Sequence, residues 1–143
     1  MLQKYRDKWP WFDHVMAAAM RYQDKKGDYF GELALRSENL QEILDEGCRL
    51  VGEALGTDLA KIEELEQGRD TALVRAGVGW NAGIVGEARI SLCERSSESY
   101  SLKQRGPMVV EDIAADDRFD FPEFMRDHGV VAMVNVPIFL PGG

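Results

Sequence analysis

The chain has 143 residues, 45% of them hydrophobic and 29% charged, with a formal net charge of −8. That length supports one domain with a real core, and the acid excess argues against a nucleic-acid surface, which needs clustered lysine and arginine. The longest apolar run, Val130 to Leu140, is interrupted by Asn135 and Pro137 and is shorter than the ~20 residues of a transmembrane helix. The N-terminus shows no basic segment leading into an apolar one, so no signal peptide is expected.

The first 36 residues read as a helical leader. Pro10 suits a first helical turn, and Phe12, Val15, Met16, Ala19 and Tyr22 recur with helical spacing, with His14 beside the stripe. Lys26-Gly27-Asp28 marks a break. A second helix is predicted from Leu40 to Leu55, with Leu40, Ile43, Leu44, Gly47, Val51, Ala54 and Leu55 on one face. Asn39 followed by Glu42 resembles a capping box, and Gly56 fits a C-cap.

The period then changes to that of strands. Residues 59–66 and 71–78 form a hairpin around Gln67-Gly68-Arg69-Asp70, with Ala72, Val74, Ala76 and Val78 alternating as a half-buried strand requires. Gly77, Gly79, Gly83 and Gly86 flank Trp80 in a loop of unusual backbone angles or close chain approach. A strand-like stretch, 88–92, leads to Cys93. A short polar helix is predicted over 96–105, a strand over 108–113, and a helix opened by Pro122 and closed by Gly129. The last strand, Val130 to Leu140, is apolar on both faces and is expected to be central and covered. Helices and hairpin-joined strands in this order predict an α+β fold, an antiparallel sheet with helices on one face.

Several motifs in sequence order resemble the GAF domain family of bacterial sensor modules. They are the leading helix, the first hairpin, Gly77-Val78-Gly79-Trp80 to Gly83-Ile84-Val85-Gly86, Pro107-Met108-Val109-Val110-Glu111-Asp112-Ile113, Asp116-Asp117-Arg118-Phe119 and His128-Gly129-Val130. The resemblance spans Ser37 to Gly143 and implies a GAF/PAS-like domain over 37–143. The family's last strand and closing helix would follow Gly143 and are expected to be missing from this chain. Signatures of three specialised subgroups are absent: the cyclic-nucleotide motif, the Cys-His pair of bilin attachment, and the cysteines of free methionine sulfoxide reductases.

The resemblance implies a non-catalytic module that senses a small molecule and relays its state to an output domain of the histidine kinase or diguanylate cyclase type. Apolar cavities with few polar anchors hold such ligands. The candidate pocket residues are Trp80, Tyr100, Ile113, Phe119, Phe121, Phe124, Met125 and Val134, and the identity of any cofactor is left open. A homodimer is expected through Phe12, Val15, Met16, Ala19 and Tyr22, because GAF domains commonly signal through flanking helices. The alternative is a ligand-free dimerisation or protein-interaction module; a methionine sulfoxide reductase-like enzyme resting on Cys93 is a distant third.

The remaining residues read as structural. Asp116 or Asp117 suits an Asx-turn, with Arg118 paired to a neighbouring carboxylate. His128 suits a helix C-terminus, and Cys48 suits a small buried apolar position. No metal site, nucleic acid or membrane partner is expected. Two cysteines fit neither a disulfide framework nor a zinc site, and a cytoplasmic, reduced protein follows.

Overall fold

The computed structural model describes residues 39–137. The predicted leader helix, with Phe12, Val15, Met16, Ala19, Tyr22 and His14, lies outside the described residues. Within 39–137 the chain forms α1 (Leu40–Leu55), β1 (Ala60–Leu65), β2 (Thr71–Val78), β3 (Arg89–Ser91), α2 (Ser97–Gln104), β4 (Met108–Val110), α3 (Glu123–Asp127) and β5 (Met133–Asn135). Strands β1, β2 and β3 are hydrogen-bonded in that order, and β4 pairs with β5. The chain divides into two compact units.

The first unit comprises residues up to Glu63 together with Val74–Gly86. Here α1 begins where the caps predict. The Asn39 Oδ1 accepts from the Gln41 amide at 3.0 Å, and Gly56 closes the helix in the left-handed region at φ 62°. The predicted apolar face is covered only in part: Ile43, Leu44, Gly47, Ala54 and Leu55 are half-buried. Leu40 and Val51 expose 54% and 49%, whereas Cys48, Leu50 and Gly52 are buried. Gly52 accounts for the turn of the helix. A Cβ there would stand 3.2 Å from the Thr57 carbonyl and 3.6 Å from Val78 Cγ2, so a bare glycine lets α1 come close to β2. The Gln41 side chain adds a tie, its Nε2 donating to the Arg75 carbonyl at 3.0 Å.

The second unit comprises Glu64–Leu73 and the chain from Glu87 onward. Its hairpin turn is fixed by Glu66. The amide of Glu66 donates to the Thr71 carbonyl at 3.0 Å. The Glu66 carboxylate accepts from the Thr71 hydroxyl at 2.8 Å and from Arg89 Nε at 2.9 Å. Strand β3 runs antiparallel to β2 with Ala72 opposite Ile90, and both are buried. Further along, β4 and β5 are antiparallel with Val109 opposite Val134, and α2 packs on both. The core of this unit is Met108, Val109, Val110, Ile113, Phe119, Phe121 and Met125.

Two strand expectations are corrected. The strand predicted over 108–113 ends at Val110 because Asp112 folds the chain into an Asx-turn, its Oδ1 accepting from the Ala114 amide at 2.9 Å. Ile113 nevertheless stays buried, and its amide donates to the Val131 carbonyl at 2.8 Å. The final strand is neither central nor covered within 39–137. It pairs with β4 alone among the described residues, and Val131, Val134 and Val136 expose 62%, 39% and 60%. The apolar pattern that marks a strand buried on both faces therefore covers a face left open over these residues.

Candidate functional site

The second unit gathers most of the sequence-predicted pocket. Tyr100 on α2 meets Phe119 edge-on, ring centroids 5.3 Å apart, and Phe119 meets Phe121 in the same manner at 6.1 Å. Such T-shaped contacts suit the ring quadrupoles. Ile113, Phe119, Phe121 and Met125 are buried, Phe124 is half-buried, and Tyr100 and Val134 each expose 39%. The cluster is thus an aromatic core with one phenol reaching its surface.

The segment carrying Phe119 and Phe121 is held by charge. Arg118 lies 4.8 Å from the centroid of the Phe119 ring. Its guanidinium donates to both oxygens of Asp116, with Nη2 to Oδ2 at 2.7 Å, while the Arg118 amide donates to Asp116 Oδ1 at 3.0 Å. The side-chain hydrogen bond from Arg118 holds the Asp116 carboxyl below its ordinary range. This is the Asx-turn and ion pair expected from the sequence. Arg95 clamps the same segment from the other side, donating to Asp120 Oδ2 at 3.1 Å and to the Asp117 carbonyl at 3.0 Å.

α3 ends as predicted. His128 caps it, with Nδ1 2.7 Å from the Phe124 carbonyl, and Gly129 follows at φ 69°.

Trp80 belongs to the first unit. Its indole Nε1 donates to the Ala60 carbonyl at 2.9 Å, and its ring lies over Gly77, where a Cβ would sit 2.6 Å from Cδ1. Gly79 is tighter still: at φ 82°, an added Cβ would stand 2.1 Å from the Asp58 carbonyl oxygen. The predicted close approach is therefore real, and it locks the loop after β2 onto the start of β1.

One concavity escaped the sequence reading. A groove of about 570 Å³ runs along α1, lined by Gln41, Asp45, Glu46, Arg49 and Val78 among others. Polar residues on an exposed helix face give no sequence signal for it. Arg49 bridges Glu46 at 2.6 Å and Glu53 at 2.9 Å there.

The thiols differ sharply. Cys48 is buried, and desolvation together with the nearby Asp45 charge pushes it up to about 11, so it is a protonated thiol at neutral pH. Cys93 is exposed. No group of three or more potential metal ligands occurs among the described residues, and no helix there is long and apolar enough to cross a membrane.

An antiparallel sheet with helices packed against it defines a GAF-like α+β fold. The chain belongs to the GAF domain family: the family model matches residues 39–143. GAF domains are regulatory, small-molecule-binding or sensory modules of signalling proteins and are generally non-catalytic. Among solved structures, the chain is similar to the GAF domain of a phosphoenolpyruvate-protein phosphotransferase from Coxiella burnetii. The TM-score is 0.69 at 15% identity, covering 90% of this chain and 73% of that one. The GAF domain of the Acinetobacter phosphoenolpyruvate-protein phosphotransferase gives a TM-score of 0.58 at 21% identity over 68% of this chain, which spans 61% of that relative. A phycoerythrobilin-bound GAF domain from a cyanobacterial phytochrome gives 0.60 at 16% identity, covering 84% and 76% respectively. No curated protein matches the chain.

Proposed function

We propose that this GAF domain is a non-catalytic sensor of a small molecule, coupled to an output domain of the histidine kinase or diguanylate cyclase type. The ligand would sit at the aromatic cluster of the second unit, with Ile113, Phe119, Phe121, Phe124, Met125 and Val134 as its apolar wall and Tyr100 as its polar anchor. A ligand acts only by binding two states unequally, and helices bearing Phe12, Val15, Met16, Ala19 and Tyr22 would carry the difference across a homodimer. The observation that carries this reading is the family match over 39–143, joined to an aromatic core that keeps one phenol at its surface.

One observation favours a second reading. Ile113, Phe119, Phe121 and Met125 are each buried, and the Phe119 and Phe121 rings meet edge-on, which suits a dimerisation module with a filled interior. Native mass spectrometry of freshly purified protein separates the two. Extra mass lost on denaturation supports the sensor. A dimer with no extra mass, abolished by Val15→Asp with Met16→Asp, supports the interaction module. The reductase reading rests on an exposed Cys93 alone, since Cys48 is a buried thiol; it requires turnover of methionine sulfoxide that Cys93→Ser abolishes.

A further inference from the structure

α1 is buried on two sides. One side meets the strands of its own unit: the Gln41 side chain donates to the Arg75 carbonyl, Cys48 lies beside the Ile62 amide, and Gly52 lies against Thr57 and Val78. Positions 41, 48 and 52 share one helix face. Leu50 does not belong to it. It stands two positions from both Cys48 and Gly52, about 160° around the axis, yet it is only 6% exposed. An exposed leucine there would be ordinary; a buried one requires a second cover. Ile43, Gly47 and Ala54 lie on the same side as Leu50 and are half-buried. Leu40 and Val51, at the margin of that side, expose 54% and 49%, so the covered strip is narrow.

Its spacing says what fits. Residues 43, 47, 50 and 54 alternate steps of four and three, the period of a seam between two helices. The leader carries the same alternation at Phe12, Val15, Ala19 and Tyr22, with Met16 beside them. At about 1.5 Å per residue both seams are roughly 15 Å long, so they match end to end. Gly47 and Ala54 on α1 and Ala19 on the leader are small, which lets two helix axes approach closely. Residues 23–42 join the seams, and even partly extended they outreach the length of α1. The tether also decides between occupants. A segment of the same chain meets its target at an effective concentration on the order of millimolar, above that of a second copy in dilute solution.

We propose that the outer face of α1, formed by Ile43, Gly47, Leu50 and Ala54, is the docking surface for the leader helix of the same chain, with Phe12, Val15, Met16, Ala19 and Tyr22 seated on it. Homodimer pairing through the same five side chains then requires the leader to leave α1, so the two contacts exclude each other on one chain. A shift between them is a route by which a change in the domain reaches a flanking helix, and it holds with or without a ligand at the aromatic cluster.

The test reads access to the outer face by maleimide labelling of a thiol introduced there, Leu50→Cys, in the full chain carrying Cys93→Ser. Cys48, buried and protonated, is the internal check on folding. Labelling at neutral pH should be at least about tenfold slower than in the same protein with Val15→Asp and Met16→Asp added, and its rate should not change on dilution. Rapid labelling with the leader intact overturns the proposal. Protection that survives Val15→Asp with Met16→Asp overturns it too, because another segment then covers Leu50. Protection that fades on dilution overturns it in favour of a second copy. Where Leu50→Cys or the aspartate pair exposes Cys48 and so disturbs the fold, Ala54→Cys and Val15→Ser with Met16→Ser replace them, and the same outcomes decide. None of these results bears on the sensor reading, which native mass spectrometry tests by itself.

Discussion

At the scale of single residues, the most constrained backbone lies at Gly79. The left-handed φ of 82° and the contact an added Cβ would make with the Asp58 carbonyl act together. Gly79→Ala should cost more than about 2 kcal/mol, measured as a lowered urea midpoint at unchanged slope. A result under 0.5 kcal/mol would mean that the loop yields easily. The Asp116–Arg118 pair makes a different prediction. Because the folded-state pKa of Asp116 is depressed, its contribution is present above the unfolded carboxylate pKa and is lost as pH falls through the folded value. Urea midpoints of the parent chain and of Asp116→Asn should therefore differ at pH 7 and converge once the pH has fallen through the depressed folded-state value. A gap that stays constant with pH would assign the effect to the Asx-turn alone. Gly79 was legible as one of four closely spaced glycines, and the Asp116 turn was legible from its dense aspartates. What no sequence rule supplied was the partner of Trp80, a carbonyl twenty positions upstream.

At the scale of elements, what was read correctly had local causes. The cap at Asn39, the left-handed stop at Gly56 and the alternation of Ala72, Val74 and Ala76 placed α1 and β2 at their observed ends. Tertiary packing decided the rest. Gly52 brings α1 close to β2 by a surface that the hydrophobic stripe does not mark. β4 stops where Asp112 turns the chain, although Ile113 continues the apolar pattern. α2 was read as a polar helix, and its buried face is built from serines that a hydrophobicity scan scores as solvent-facing. Spacing alone could have found it, since Ser97 and Ser101 share one helix face. The helix depends on its cap: Ser96 Oγ accepts from the Ser99 amide at 3.0 Å. Ser96→Ala should destabilise the protein by about 1 kcal/mol. Ser96→Gly, which adds no bulk at this buried position, should cost less than Ser96→Ala, as read from urea midpoints.

At the scale of the molecule, family membership was legible because several motifs far apart in sequence stand in one order, and the family model matches residues 39–143. The candidate pocket was legible only as a list of residue types. Whether such residues line a space or fill it depends on distances that no spacing rule contains. The two thiols supply a means of following that distinction in solution. Cys48 is inside and protonated, and Cys93 is outside, so a maleimide fluorophore at pH 7 should attach once per chain and at Cys93. Peptide mapping checks this, with Cys48 becoming labelled only in denaturant. Cys93 precedes the cap of α2 by three positions. The protein therefore carries a built-in attachment point for a reporter beside α2, the helix that carries Tyr100 of the aromatic cluster, and emission from a dye placed there would register movement of α2 without any engineered substitution.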